Sequence, residues 1–297
     1  MVNTSASGVV AANGQQIAYE TFGERGGRPL IMVMGLGASM LMWHPDLCAM
    51  LAERGFFAIR FDNRDVGRSS HLRDARPPDL MAAMTRGDVS SASYSLDDMA
   101  DDGFGLLDAL DLPTAHVLGA SLGGMIAQVM AARHPERMLS LTSIMSMPAP
   151  ALANSTPAAV GVLMQPPAAT REAAIDQMLE ASKVIGSPGY PPDEQWRAEL
   201  AGQLWDEGID PAGTARQLMA IYASGDRTKA VSGIAVPTVV IHGDSDPLIN
   251  VSAGRRTAEL IAGAELLIIP GMGHDLPRPV WPALVDAISA VADRAGR

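Results

Sequence analysis

Three residue types, at three places along the chain, could together do nucleophilic chemistry. Ser121 stands between two glycines in HVLGASLGG (116–124), directly after a short apolar run. His274 lies in the Gly-rich stretch IIPGMGHDLPRP, and VVIHGDSDPLINV between them offers two acids, Asp244 and Asp246. A serine hydroxyl is a poor nucleophile until a base takes its proton, and the base must be held in the right tautomer by a third group. Serine, then acid, then histidine is the chain order in which such a set occurs on one strand–turn–helix scaffold.

G-x-S-x-G alone is weak: at average usage a chain of this length holds it by chance roughly 0.1 times. Its setting strengthens it. AHVLG before it reads as a buried strand and LGGMIAQVMAARH after it as a helix, the context a nucleophile elbow requires. A serine on such a turn adopts a strained backbone, so its neighbours must be glycines if strand and helix are to approach closely. The same turn puts Ser121 at a helix N-terminus, where the N–H of Leu122 is free to face a developing oxyanion. A second donor is expected from IMVMGLGASMLMW, where Gly35 and Gly37 allow a tight turn and an N–H of Leu36 or a neighbour can point inward.

The chain has six histidines. His44 falls in a helical pattern, His71 in a charged loop, His116 inside the strand before the elbow, His134 at a helix end before Pro135, and His242 at the end of PTVVIHG. Only His274 sits in a loop after the last strand, able to bring an imidazole to the sheet's C-terminal edge. For the acid, spacing does not separate Asp244 from Asp246. Asp275 adjoins His274, and sequence neighbours rarely make the needed Nδ1 contact.

The elements that must position these residues alternate. Asn13-Gly14 between alternating residues predicts a type I′ hairpin. PLIMVMG, FFAIRFD, AHVLGAS, SLTSIMS, PTVVIHG and ELLIIPG are continuous apolar runs, the pattern of strands buried on both faces. Helical patterns separate them; SLDDMADDGFGLLDALD opens with Ser95 as N-cap and acids in the first turn. This predicts a mostly parallel sheet with helices on both faces. From Pro148 to Arg227 the rhythm breaks: helical pieces and Pro/Gly breaks follow one another with no buried strand, which predicts a helical insertion.

Composition narrows the partners. Among 297 residues, 47% are hydrophobic and 19% charged, a soluble, globular balance that can bury a sizeable core. The net charge of −11 and the lack of Lys/Arg clusters argue against nucleic acid. The single cysteine, Cys48, has no partner for a disulfide or a metal site and reads as a packed small hydrophobe. MVNTSASGVVAANG lacks the basic-then-apolar order of a leader, and no run reaches the roughly 18 apolar residues of a membrane span. The expected location is cytoplasmic.

These residues resemble the α/β-hydrolase superfamily over nearly the whole chain. GASLGG matches its elbow. MGLG resembles its HGxG-type oxyanion loop, with Met34 in place of the usual histidine and the first donor mapping to Leu36. FDNRDVGRSS resembles the family's D-x-R-x-x-G-x-S loop, whose Asp62, Arg64, Gly67 and Ser69 read as structural. HGDSDPLI resembles the acid loop, which puts the carboxylate at Asp246, and GMGHDLP the histidine loop. Within the family the chain looks most like aclacinomycin-methylesterase-type esterases, in VMG, DNRDVGRSS and PGMGHDLP.

The resemblance implies an eight-stranded, mostly parallel sheet, with a core in two parts (1–147 and 229–297) and a helical cap at 148–228. It implies a serine hydrolase that cleaves a carboxylic ester of a hydrophobic small molecule through an acyl-enzyme. Ser121, Asp246 and His274 would be catalytic, Leu36 and Leu122 would hold the oxyanion, and no metal or organic cofactor would be needed. Carbon–carbon bond hydrolases, acyltransferases and cofactor-free perhydrolases use the same triad, and a low-turnover ligand receptor is a further alternative. Apolar side chains of the cap, among them Met164, Met178, Trp196, Trp205, Met219 and Tyr222, are expected mostly to form its own core, the remainder lining an apolar pocket.

Overall fold

The strand at Phe56–Phe61 is buried at every position, so it must lie inside a sheet covered on both sides. The computed structural model describes residues 6–295. The first five residues of the stretch read as lacking a leader, and the last two of the C-terminal helical pattern, lie outside the described residues. The elements run β1 (Ala6–Ala12), β2 (Gln15–Phe22), β3 (Arg28–Val33), α1 (Pro45–Glu53), β4 (Phe56–Phe61), α2 (Leu80–Arg86), α3 (Leu96–Ala109), β5 (Ala115–Ala120), α4 (Leu122–Arg133) and β6 (Met138–Ile144). Then come α5 (Pro157–Leu163), α6 (Arg171–Ile185), α7 (Glu194–Glu207), α8 (Pro211–Ser224), α9 (Thr228–Val231), β7 (Thr238–Gly243), α10 (Val251–Leu260), β8 (Glu265–Ile269) and α11 (Trp281–Arg294).

Among the described residues the sheet has eight strands in the order β1-β2-β4-β3-β5-β6-β7-β8. β1 and β2 form the predicted hairpin, with Asn13 at φ 48° and Gly14 at φ 74° as a type I′ turn demands. β2 also pairs antiparallel with β4, and every later pairing is parallel. Ser95 caps α3 in a reciprocal capping box with Asp98, satisfying two N–H groups at once. Parallel strands need helical crossovers, and these cover both faces. One core joins α3, α4 and α10 to the sheet and the other joins α1 and α11, with Cys48 fully buried in the second.

The parallel strands end at one edge, and the segments 34–37, 121, 244–246 and 270–274 all follow directly from those ends. Helices α5 to α9 lie between β6 and β7. Helix α2 was not anticipated: it is two turns long between a Pro-rich loop and Gly87, too short to impose a period. No helix among the described residues is long and apolar enough to cross a membrane.

Candidate active site

Ser121 sits between the fully buried β5 and α4, at φ 56°, ψ −119°, a conformation that non-glycine residues rarely adopt. The surroundings enforce it. A Cβ at Gly119 would overlap the Gly123 carbonyl, and one at Gly123 would overlap the Val33 carbonyl, so the crossing has no room for side chains. The Ser121 N–H donates to Ile144 O (2.9 Å), and the Ser146 hydroxyl donates to Ser121 O (2.8 Å). As N-cap of α4, Ser121 makes no capping bond with its side chain, and its Oγ stands 2.9 Å from His274 Nε2.

The other ring nitrogen of His274, Nδ1, lies 2.7 Å from Asp246 Oδ2. An ionised carboxylate only accepts, so Nδ1 carries the proton and Nε2 is left to accept from the serine hydroxyl. Asp246 itself is buried at 3% exposure. Its Oδ1 accepts from the N–H groups of Leu248 (2.8 Å) and Ile249 (2.9 Å). Burial by itself would raise this carboxyl. The adjacent His274 ring and the hydrogen bonds from His242, His274 and Ile249 outweigh it and hold the acid well below the usual carboxylate range. The ring of His242 donates from Nε2 to Ile249 O (2.7 Å), which braces the loop carrying the acid.

Asp244 turns elsewhere and accepts from the Gly271 N–H (2.7 Å). Asp275 pairs with Arg197 and Ser187, not with the adjacent imidazole. The loop expected to give the second donor runs close by: a Cβ at Gly35 would lie 3.3 Å from Ser121 Cβ. Leu36 and Leu122 line the same cavity as Ser121. Sequence reading did not anticipate Gln217 of α8. Its buried amide accepts from the Gly37 N–H (2.8 Å) and donates to Arg64 O (2.8 Å), which fixes the turn carrying Leu36. A polar residue at a helix position facing the core was the available signal.

The cavity at Ser121 measures about 150 Å³ and is walled by Met125, Met147, Leu218, Ile221 and Tyr222. A second cavity of about 380 Å³ lies against it, and Leu36, Leu163, Met164 and Leu218 line both. Of the inserted helices' other apolar residues, Met219 is fully buried, and Trp196 packs on His44 at 5.0 Å between ring centroids.

Asp65, His71 and Asp210 bring ligand atoms within 4.8 Å of one another beside the second cavity. They do not make a cation site. Both oxygens of Asp65 are engaged by the Arg216 guanidinium (2.7 and 2.8 Å), so the positive charge is already supplied by the protein.

The sequence profile of the alpha/beta hydrolase fold family matches residues 28–277, and the chain belongs to that family. It is similar to the rhodomycin D methylesterase DauP of Streptomyces sp. (strain C5), with 30% identity over 91% of this chain and 93% of the relative. The rhodomycin D methylesterase DnrP of Streptomyces peucetius is 29% identical over the same shares. Among solved structures, the enol-lactonase from Burkholderia xenovorans LB400 superposes with a TM-score of 0.71 at 23% identity, covering 96% of this chain and 100% of that one. A meta-cleavage product hydrolase from Pseudomonas fluorescens IP01 does so with a TM-score of 0.73 at 19% identity, covering 99% of each chain. These two likenesses are of fold.

Proposed function

We propose that this protein is a serine-dependent carboxylic ester hydrolase whose substrate is a hydrophobic small molecule. One observation carries the reading. The unbroken line Ser121 Oγ–His274 Nε2–Asp246 Oδ2, with gaps of 2.9 and 2.7 Å, stands on a serine held at positive φ. Ser121 Oγ attacks the ester carbonyl as His274 Nε2 takes its proton. The N–H groups of Leu36 and Leu122 hold the resulting oxyanion. His274 then hands the proton to the departing alcohol, leaving an acyl group on Ser121. Water, deprotonated by the same ring, attacks that acyl group, the acyl–Oγ bond breaks as His274 returns the proton to Ser121, and the acid leaves. Asp246 keeps the ring in the accepting tautomer and stabilises its cation.

The helices at 148–228 serve as a cap over the site and set the substrate. Their Leu163, Met164, Leu218, Ile221 and Tyr222 face Ser121 across the smaller cavity, and methionine adapts to irregular apolar ligands. Adjoining cavities of about 150 and 380 Å³ favour an ester with one small and one bulky half. The methylesterase names of two relatives support ester cleavage.

The test is p-nitrophenol release from acetate, butyrate and octanoate esters by wild type and Ser121→Ala in parallel. Turnover in the wild type that vanishes in the variant is expected. Turnover that survives in Ser121→Ala would overturn the assignment, and an anionic p-nitrophenyl hemisuccinate, added to the panel and cleaved as fast as the neutral butyrate, would overturn the hydrophobic preference.

A further inference from the structure

His274 is held from two sides. On the core side, Gly271 N–H donates to Asp244 Oδ1 (2.7 Å) and Met272 O accepts from Ser245 N–H (3.1 Å). On the other side, the three residues 273 to 275 are gripped by the inserted helices. The His274 N–H donates to Ile185 O at the end of α6 (2.7 Å). The Gly273 N–H donates to the Ser187 hydroxyl oxygen (2.9 Å), and that hydroxyl donates onward to Asp275. The other Asp275 oxygen takes the guanidinium of Arg197, from the first turns of α7.

The backbones touch as well. Gly189 N–H donates to Gly271 O (2.9 Å), and a Cβ at Gly189 would come 2.8 Å from Gly271 Cα. The Arg197–Asp275 pair is largely out of water, at 12% and 14% side-chain exposure. A pair so placed holds its geometry more firmly than one free in solvent. It lies one residue from the imidazole, and the general base must hold its hydrogen-bond distance to the serine.

We propose that Ser187, Arg197 and Asp275 form a positioning clamp. Through it the inserted helices set the His274 ring against Ser121, so Arg197 and Asp275 act on the chemical step while touching no substrate. The inference rests on the reading of Ser121 as nucleophile and His274 as base.

The experiment compares Asp275→Ala, Arg197→Ala, their double variant and Arg197→Lys, at a temperature where circular dichroism shows all of them folded. Two readouts are taken: kcat and KM on a short p-nitrophenyl ester, and the rate at which a small fluorophosphonate labels Ser121. A displacement of about 1 Å at the reacting atoms is enough to cost ~100-fold. Each alanine variant is therefore expected to lose about 10- to 100-fold in kcat and in labelling rate, with KM nearly unchanged. The double variant should be no worse than the poorer single, because both remove one device. Arg197→Lys should recover part of the loss.

Folded alanine variants that keep wild-type kcat and labelling would overturn the clamp. So would a loss confined to KM, which would make these residues part of substrate binding. If Asp275→Ala does not fold, Asp275→Asn carries the same test, since it keeps shape and removes charge. A wild type that labels at Ser121 but cleaves no ester leaves the clamp testable by labelling alone. A wild type that fails to label defeats the base reading itself.

Discussion

Arg216 of α8 and Asp65 of the loop after β4 meet through two hydrogen bonds of 2.7 and 2.8 Å, with side chains only 2% and 0% exposed. Asp65 also accepts from the Tyr94 hydroxyl (2.7 Å) and the Leu72 N–H (2.8 Å), so its charge is fully matched inside the protein. The pair joins α8 to the loop after β4. Removing one partner leaves an uncompensated buried charge, which costs about 3–5 kcal/mol. Arg216→Met is expected to lower stability by that amount, read as a shift of the urea midpoint with an unchanged slope. A shift below about 0.5 kcal/mol, the range of ordinary surface changes, would contradict the burial of the pair.

Under the proposed mechanism, Asp246 is expected to bear on turnover and not on substrate affinity. In Asp246→Asn the side-chain oxygen can stay with the Leu248 and Ile249 N–H groups, which turns the amide NH₂ toward His274 Nδ1. The ring must then carry its proton on Nε2 and cannot accept from Ser121. A loss of roughly 10³–10⁴ in kcat is expected, with little change in KM, by analogy with the same substitution in other serine triads. Steady-state kinetics on a chromogenic ester measures it, and a loss below tenfold would remove Asp246 from the mechanism.

His116 sets a pH dependence of stability. It is 2% exposed, donates to or accepts from Ser140 Oγ at 2.8 Å, and meets Phe56 edge-on. Burial, helped by the charge of Arg28, lowers its pKa to about 4. On acidification the unfolded chain therefore protonates this ring near pH 6.5, before the folded protein does. Its contribution is present above about 6.5 and is lost as the pH falls toward 4, on the order of 1–2 kcal/mol between pH 7 and 5. Urea unfolding at those two pH values should show a smaller drop for His116→Gln than for the wild type. An equal drop in the two proteins would sink this assignment.

Strands were legible because burial on both faces writes continuous apolar runs, as at Phe56–Phe61 and Thr238–Gly243. The serine turn was legible because steric necessity put glycines at 119 and 123. Contacts between distant segments were not. Nothing local distinguishes Asp244 from Asp246; the difference is that the first faces the Gly271 N–H and the second faces an imidazole. Gln217 shows only as a polar residue at a core-facing helix position; what it bonds is unreadable until the Gly37 loop is brought against it. The same holds for His71 and Asp210, which meet at 2.8 Å only after α8 docks.

The placement of α5 to α9 between neighbouring strands has a consequence for synthesis. Leu141 of β6 pairs with Thr238 of β7, roughly a hundred residues further on, a separation that slows folding. As the chain leaves the ribosome, β6 therefore waits as an open sheet edge until all the intervening helices have been made. Ser121 emerges long before Asp246 and His274, so under the proposed reading the nascent protein would lack its base during the very interval in which it is most prone to pair with its neighbours.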